Sequence, residues 1–325
     1  MGRTGGTLYG QHLHAGLEAL GHTVSVVALD DSWPWPHDPE RHVHAIMDLP
    51  RGTPLLVDGL VWPGLSAAIG PVLDRHHCTV IVHSPLFRET GLSETARTRA
   101  FDGEAVALGK AHTVVGTGMP TIRDLSDRFG LSAHCIEPGV HPRALVEASD
   151  PTSLACLATI TPRKDHCFLL EALSDDHLRD RRLDCAGSLE RAPDHARHCL
   201  AHARVLGLDQ RVSWHGELGQ EALTQLLQRT GLVVQTARFE AYGMAIAEAV
   251  AAGIPVVSRP AGALEGPCGA AAVIVDTDEP PVLAAAIANL DHAQLREAAR
   301  RIAPTLPTWE DVAGRFSALL GGGLV

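Results

Sequence analysis

The chain has 325 residues, 45% of them hydrophobic and 20% charged, with a formal net charge of −11. This length is enough for two domains of ordinary size, and this composition is typical of a globular protein with a substantial core. No apolar run approaches the roughly 20 residues of a membrane span, and the first residues do not resemble a signal peptide. Because nucleic acids are held by basic surfaces, the acidic balance disfavours a nucleic-acid partner. Membrane contact is expected to be at most peripheral, and the acidic balance gives no support for it. The seven scattered cysteines form no C-x-x-C pair and indicate reduced thiols in the cytoplasm.

Strand-like and helix-like segments alternate in two sets along the chain, joined near Pro138 to Pro151. The first set has predicted strands at Thr23–Leu29, Pro54–Leu60, Cys78–Ser84, Ala111–Gly116 and His134–Glu137, and predicted helices at Gly6–Leu20, Ser93–Gly109 and Pro120–Phe129. The second set has predicted strands at Leu154–Ile160, Arg182–Gly187, Arg211–His215, Leu232–Thr236, Pro255–Ser258 and Ala271–Val275. Short β-branched strands that alternate with helices predict an α/β fold in which parallel sheets are covered on both faces.

Two such sets predict two facing Rossmann-like domains, with a cleft at the carboxyl ends of their strands. We divide the chain into residues 1–145, residues 146–306 and a terminal segment, residues 307–325. The terminal segment is amphipathic, because Trp309, Val312 and Phe316 recur at helical spacing, and its Gly-rich end is expected to be disordered.

The beginning of the first domain departs from the usual Rossmann-like order. Such domains start with a strand followed by a Gly-rich loop, whereas this chain starts almost at the loop, with Gly5 and Gly6, and continues into a helix. The first domain is therefore expected to lack its first strand, which would leave the remaining strands without a shared neighbour. Our hypothesis is that the natural protein begins upstream of Met1.

The segment Phe239–Val257 carries the most informative pattern of the sequence. It follows a strand-like run and opens an Ala-rich helix that contains one carboxylate, Glu248, while Glu240 stands just before the helix with seven residues between the two. Gly243 lies at the first turn, where unpaired N–H groups and the helix dipole favour phosphate and where the missing side chain permits close approach. At 1.5 Å per residue the carboxylates are roughly 12 Å apart. This layout suits a nucleotide-diphospho-sugar, although an ordinary strand–loop–helix unit with two solvated glutamates is the simpler alternative.

The same segment, including the following Gly-Ile-Pro-Val-Val, resembles the E-x7-E signature of retaining GT-B glycosyltransferases of family 4. The resemblance implies that Glu240 holds the transferred sugar near its reacting carbon and that Glu248 holds the ribose diol. It further implies a set of positions around the donor diphosphate: Tyr242, Gly243, Met244 and Ala245. In this family the last helix crosses back to the first domain, which implies an acceptor-side first domain and a nucleotide-sugar-binding second domain.

A second loop, Thr159–His166, places two adjacent cations at a strand end. Arg163 and Lys164 there suit a departing diphosphate, which concentrates negative charge. The related family has an arginine, a lysine five residues later and then a glycine; Lys164 matches the lysine, but Thr159 and Asp165 stand in place of the other two. Arg163 is expected to supply the missing charge, and a solvated helix entrance is the alternative interpretation.

Three further positions are candidates for binding or chemistry. His83 ends a strand and could orient the acceptor or the sugar by hydrogen bonding, although a core or loop histidine is an alternative. Gly5 and Gly6 precede a helix, where the family has a loop that meets the diphosphate, and a plain turn is the alternative. Gly187 resembles the loop beside the nucleotide in relatives.

Neither a metal site nor a redox cofactor is predicted. His195, His198, His202 and Cys199 fall on neighbouring helical turns, but no closed ligand set with supporting carboxylates is apparent. Gly116-Thr117-Gly118 lacks the third glycine and the downstream acid of a dinucleotide fingerprint.

The resemblance implies a transfer of sugar from a nucleotide-diphosphate donor to an acceptor hydroxyl, with retention. A metal is not needed if cations and backbone N–H groups neutralise the diphosphate. The acceptor would be a small molecule, a glycan or a lipid-linked sugar. Two alternatives remain: an epimerase or phosphorylase-like enzyme of the same fold, and an inactive sugar-nucleotide-binding protein.

Overall fold

The computed structural model describes residues 5–27, 34, 36, 38–146 and 150–321. It divides into two compact units. The first unit is Gly5–Gly139 together with the segment from Trp309 onwards, and the second unit is Val140–Thr308. Sequence analysis divides the chain after residues 145 and 306 instead.

The first unit has a parallel sheet covered by helices. In chain order its elements are α1 (Gly5–Ala19), α2 (Pro39–Met47), β1 (Leu55–Asp58), α3 (Trp62–Leu65), α4 (Gly70–Leu73), β2 (Cys78–Val82), α5 (Glu94–Leu108), β3 (Thr113–Gly116), α6 (Met119–Phe129) and β4 (His134–Cys135). The four strands pair in the order β1-β2-β3-β4, all parallel. Trp62 and Leu125 are fully buried in the core of this unit, and the Trp62 indole N–H donates to the carbonyl of Ala107 at 2.6 Å.

The second unit has a larger parallel sheet. In chain order its elements are β5 (Asp150–Leu157), α7 (His166–Leu173), β6 (Arg182–Ala186), α8 (Pro193–Val205), β7 (Val212–Gly216), α9 (Gln220–Arg229), β8 (Thr230–Gln235), α10 (Met244–Ala251), β9 (Val256–Ser258), β10 (Ala272–Ile274), α11 (Pro280–Asn289) and α12 (His292–Ile302). The strands pair in the order β10-β9-β8-β5-β6-β7. Two separate apolar clusters, one with α7, α8 and α11 and the other with α10 and α12, cover the sheet as the sequence predicts.

The last helix, α13 (Trp309–Gly321), belongs to the first unit and packs along α1. Trp309 and Phe316 meet the ring of Tyr9 edge-on, with ring centroids 5.4 and 6.2 Å apart. A side chain at Gly16 would bring its Cβ within 2.6 Å of the Ala313 Cβ, so the two helices are close enough to require glycine at this crossing.

Two predictions about the start of the chain are wrong. Residues 23–27 of the predicted strand Thr23–Leu29 form no strand, and Ala28 and Leu29 lie outside the described residues. Val26 is 71% exposed there. β propensity depends on packing against a neighbouring strand, and these residues have none in the described part of the chain. The predicted helix Gly6–Leu20 is confirmed as α1, which already begins at Gly5, and the residues before Gly5 lie outside the described ones. In addition, the described strands β1 to β4 pair without a gap, contrary to the expectation that they would lack a shared neighbour.

Candidate functional site

The start of α10 in the second unit is shaped by a glycine. Gly243 has a left-handed backbone, with φ of 98°, and a Cβ there would lie 2.9 Å from Ile246 Cδ1 and 3.3 Å from Glu240 Cγ. A side chain is therefore excluded both by the backbone conformation and by its neighbours. The first-turn N–H groups of Met244 and Ala245 belong to the set that an α-helix leaves without partners of its own, which is the set that binds phosphate.

Lys164 and Glu240 meet beside this helix start, although they are 76 residues apart in sequence. The Lys164 ammonium donates to Glu240 Oε2, and the two side chains are only 16% and 20% exposed. Lys164 ends a short 3-10 turn, Pro162–Lys164, at the carboxyl end of β5, and Glu240 follows β8, the strand that pairs with β5. The structure thus brings together the lysine, the glutamate and the helix start that the sequence analysis assigns to the donor.

The two glutamates of the E-x7-E pattern have opposite pKa shifts. Burial alone would raise the pKa of Glu240, but the nearby cations Lys164 and Arg163 outweigh burial and hold that pKa below its ordinary value. Burial raises the pKa of Glu248, and the attraction of Arg143 only partly offsets it. The ionised form of Glu240 is therefore stabilised by its neighbours. The ionised form of Glu248 is destabilised by burial, and hydrogen-bond donors from a ligand would stabilise it.

Arg163 is directed at the backbone of the neighbouring loop. Its Nη1 donates to the carbonyl of Phe239 at 2.9 Å, and its own carbonyl accepts from the N–H of Arg238 at 2.8 Å. The arginine that was expected to supply diphosphate charge thus joins the loop after β5 to the loop after β8. Its charge still reaches Glu240, whose pKa it helps to lower.

The remaining donor candidates of the second unit fall into two places. Gly187 lies against the end of β5, because its Cβ would be 2.0 Å from the Ala158 carbonyl oxygen and 2.6 Å from the Thr159 nitrogen. Tyr242 is 6% exposed and packs in the apolar cluster around α10, so its side chain is not presented to a ligand. Its carbonyl accepts from the N–H of Ala263 at 2.7 Å.

Sequence reasoning missed three charged residues beside Lys164: Asp165, Arg238 and Arg259. Asp165 accepts hydrogen bonds from both arginines. The only signal in the sequence is that Asp165 stands where the related pattern has glycine. Arg259 is 94 residues away along the chain, so no local pattern points to its contact with Asp165.

His83 and Gly6 lie together in the first unit. A Cβ on Gly6 would be 3.0 Å from His83 Cδ2, and the ring of Tyr9 packs edge-on at 5.0 Å from the His83 ring. Burial lowers the pKa of His83, and the carboxylate of Asp58, 3.9 Å from Nε2, partly offsets this shift. His83 is therefore a neutral imidazole near neutral pH, able to donate or accept a hydrogen bond.

The histidines of α8 face different partners. The rings of His198 and His202 stack with centroids 6.0 Å apart, and His202 Nε2 lies 3.0 Å from Glu171 Oε1. Within the described ranges, no group of three or more His, Cys, Asp or Glu side chains is arranged to hold a metal ion. All seven cysteines are free thiols, and no described helix is long and apolar enough to cross a membrane.

Comparison with known proteins agrees with this architecture. Residues 151–292, which include the whole Lys164–Glu240 site, match the family model described as Glycosyl transferases group 1. No curated protein sequence matches the chain. Among solved structures, a sucrose-phosphate synthase from Thermosynechococcus elongatus matches with a TM-score of 0.76 and 19% identity, covering 97% of this chain and 92% of its own.

Two other solved structures extend the comparison. WaaG, a glycosyltransferase involved in lipopolysaccharide biosynthesis, matches with a TM-score of 0.69 and 16% identity, over 99% of this chain and 97% of its own. HepE of Anabaena, solved in complex with UDP and glucose, matches with a TM-score of 0.69 and 20% identity, over 87% and 80%. The fold is GT-B. The predicted fold class, two domains each built on a parallel sheet, is thereby confirmed.

Proposed function

We propose that the protein is a retaining glycosyltransferase of family 4 that moves a sugar from a nucleotide-diphosphate donor to an acceptor hydroxyl. The observation that carries this proposal is the Lys164–Glu240 pair at the start of α10, within the segment that matches the family model. A lysine, a glutamate and a glycine-led helix start within one unit supply the groups that a diphospho-sugar requires. HepE was solved with UDP, so uridine donors are the first to test.

In this proposal, donor binding exchanges the partners of Lys164. Without substrate, Lys164 and Glu240 neutralise each other. When the diphosphate reaches the N–H groups of α10, Lys164 turns to its oxygens, because two negative phosphates attract the ammonium more strongly than one carboxylate does. Glu240 is then free to accept hydrogen bonds from sugar hydroxyls, and the charge of Arg163 still favours its ionised form.

The same groups act as the glycosidic bond to the diphosphate breaks. Negative charge builds up on the departing oxygen, and Lys164 and the helix N–H groups face it in a preformed arrangement, each well-placed donor contributing about 3 kcal/mol. Glu248 accepts from the ribose hydroxyls, which supplies hydrogen-bond donors to a half-buried carboxyl group whose pKa burial raises. The acceptor is assigned to the first unit, with His83 as its hydrogen-bonding group, and no metal ion takes part.

The test combines donor binding with transfer. Purified protein is screened by thermal shift against UDP-, GDP- and ADP-sugars, and the stabilising donor is then incubated in radiolabelled form with pooled acceptors. We expect labelled acceptor to form and Lys164→Ala to lower turnover roughly 100-fold, because one charge-stabilising group is lost. Lys110→Ala is the matched control, since Lys110 belongs to the first unit, where its ammonium donates to the Ser66 carbonyl.

The other outcomes identify the alternatives. Conversion of the donor sugar without any acceptor would indicate an epimerase of the same fold. Stabilisation by a donor without hydrolysis or transfer would indicate a binding protein. Wild-type turnover in Lys164→Ala would remove Lys164 from the mechanism.

A further inference from the structure

Asp165, the residue after Lys164, has an unusual backbone conformation. Its φ and ψ are 52° and 50°, and it is the one residue other than glycine with positive φ in the described parts of the chain. This left-handed region is energetically unfavourable for an aspartate relative to ordinary backbone. The related sequence pattern has glycine here, which carries no such cost. An aspartate at this position therefore needs a compensating interaction.

The side chain of Asp165 does not serve the helix that it precedes. Asp165 is at the N-cap of α7, where an aspartate normally accepts from the N–H groups of the first turn, but no such bond forms. Instead Oδ2 accepts from Arg238 Nε and from Arg259 Nη1, both at 2.9 Å. The carboxylate thus binds two residues that are distant in sequence instead of capping α7. We call Asp165, Arg238 and Arg259 the carboxylate bridge.

Within the carboxylate bridge, Arg259 is buried and held in place by further contacts. It is 7% exposed, its guanidinium lies 4.1 Å from the centroid of the Phe168 ring, and its Nη2 donates to Asp278 Oδ1 at 2.9 Å. The carboxylate bridge and Asp278 form one network. Its residues Asp165, Arg238, Arg259 and Asp278 follow β5, β8, β9 and β10 respectively, which are neighbours in the sheet. The network therefore ties together the carboxyl ends of four adjacent strands.

The peptide of Lys164 is held by the same contacts. The Thr236 hydroxyl lies 3.1 Å from the carbonyls of both Lys164 and Asp165, and Thr236 is fully buried. The Thr236 carbonyl accepts in turn from Arg259 Nη1 at 3.1 Å. The carbonyl of Lys164 is thus anchored while its ammonium donates to Glu240.

We propose that Asp165 is a positioning residue whose carboxylate bridge holds the Lys164 ammonium at the diphosphate position. Its effect on catalysis rests on the proposed function; its effect on Lys164 does not. The two arginines and the carboxylates Asp165 and Asp278 balance in formal charge. The bridge and Asp278 together thus add no net positive charge beside Lys164, and removal of the Asp165 charge should loosen Lys164 while leaving an extra cation beside the site.

A chemical-labelling experiment tests this positioning without any need for activity. The sequence has only two lysines, Lys164 and Lys110, so trinitrobenzenesulfonate labelling followed by peptide mass spectrometry reports each of them separately. We expect Asp165→Asn and Asp165→Gly to raise the labelling rate of Lys164 roughly threefold or more, because a released side chain samples open states. The Lys110 rate should not change.

The choice of variants separates charge from backbone strain. Asp165→Gly relieves the left-handed conformation and so protects folding, yet it still removes the carboxylate. Asp278→Asn is the matched control: its side chain is 87% exposed and bonds the far side of Arg259, so the Lys164 rate should stay at the wild-type value. An unchanged Lys164 rate in both Asp165 variants would overturn the inference.

A kinetic measurement separates positioning from general damage. Once a donor is known, both Asp165 variants should lower kcat about 10- to 100-fold, the loss expected for a small misplacement of a charged group. Affinity for UDP should stay the same or rise, because a cation has been freed. A loss of UDP affinity that matches the loss of kcat would mean a purely structural role. If the wild-type protein transfers no sugar, the proposed function fails, whereas the labelling result still decides the role of Asp165.

Discussion

At the level of single residues, Glu240 and Glu248 show how one side-chain type acquires opposite pKa shifts within one strand–helix unit. Both carboxylates are largely enclosed, but only Glu240 has a lysine in direct contact. The nearby charges decide the direction of each pKa shift, since burial acts on both groups in the same direction. The cations beside Glu240 favour its ionised form, whereas burial disfavours the ionised form of Glu248.

The role proposed for Glu248 can be tested by substitution. We expect Glu248→Ala to weaken UDP binding roughly 10-fold, because two hydrogen bonds to ribose are lost. Thermal stability without ligand should not fall with Glu248→Gln, since this variant removes a buried charge and keeps the shape. Isothermal titration with UDP and a melting curve measure the two effects. Equal UDP affinity in Glu248→Ala and wild type would contradict a ribose role.

A buried carboxyl group in the first unit makes stability depend on pH. Glu104 is 1% exposed, and both its oxygens accept from the Leu86 N–H, at 2.9 and 3.1 Å. Burial raises its pKa to about 8 from 4.5, against the opposing effect of that N–H. Because the folded-state pKa lies above the unfolded one, the stabilising effect is fully present below about pH 4.5 and is lost as pH rises towards about 8.

We therefore expect the free energy of unfolding of the first unit to fall between about pH 5 and about pH 8 more steeply in wild type than in Glu104→Gln. The glutamine can still accept from Leu86, but it does not titrate. Urea unfolding at several pH values, followed by tryptophan fluorescence, measures the difference. Parallel pH profiles of the two proteins would show that Glu104 has no raised pKa.

At the level of elements, the helix pair α1 and α13 depends on one small residue. A Cβ on Gly16 would fall 2.6 Å from the Ala313 Cβ, whereas Gly10 on the same helix is exposed and has open space around its Cβ position. Gly16→Val should lower stability by about 1–3 kcal/mol through overpacking. Gly10→Ala should raise it by about 0.5–1 kcal/mol through helix propensity. Thermal melts of both variants test this contrast, and a neutral Gly16→Val would show that the helices are not in close contact.

Periodicity and turn residues predicted most elements but not every one. The alternation of β-branched runs with helices located the strands of both sheets, because hydrophobic patterning depends on neighbours in sequence. Thr23–Leu29 has the same pattern and yet forms no strand over residues 23–27, since a strand also needs a partner. The helix start at Gly243 was readable for the opposite reason: it requires only local backbone chemistry.

The candidate site shows the same limit. Gly243, Glu240 and Lys164 could be named from local motifs and are together in the structure, although their roles stay predictions. The bond between Asp165 and Arg259 joins the ends of distant strands, and no spacing rule reveals it. Arg163 was assigned to the diphosphate by charge alone, and the hydrogen bond to Phe239 became visible only with coordinates.

At the level of the whole molecule, the two units differ in how the chain builds them. The first unit needs both the beginning of the chain and α13, whereas the second unit is one continuous stretch, Val140–Thr308. The second unit also has two apolar clusters of its own on the faces of its sheet. A continuous stretch with its own core meets the requirements for independent folding.

We accordingly expect a fragment of residues 140–308 to fold alone, to melt cooperatively and to bind UDP with an affinity within about 10-fold of that of the full chain. Circular dichroism and titration calorimetry measure these properties. The complementary truncation after Thr308 should selectively destabilise the first unit, because it removes Trp309 and Phe316 from the core around Tyr9. A fragment without a cooperative transition would show that the second unit depends on the rest of the chain.

The first and last residues of the second unit lie side by side. The N–H of Val140 donates to the Pro307 carbonyl at 2.8 Å, and Val140 and Thr308 form a parallel bridge. A segment whose two ends lie side by side can be removed or replaced by another without displacing the flanking chain. If the proposed function holds, we expect transplanting this segment into a host of the same architecture to exchange one nucleotide-sugar preference for another, with two peptide junctions to rejoin.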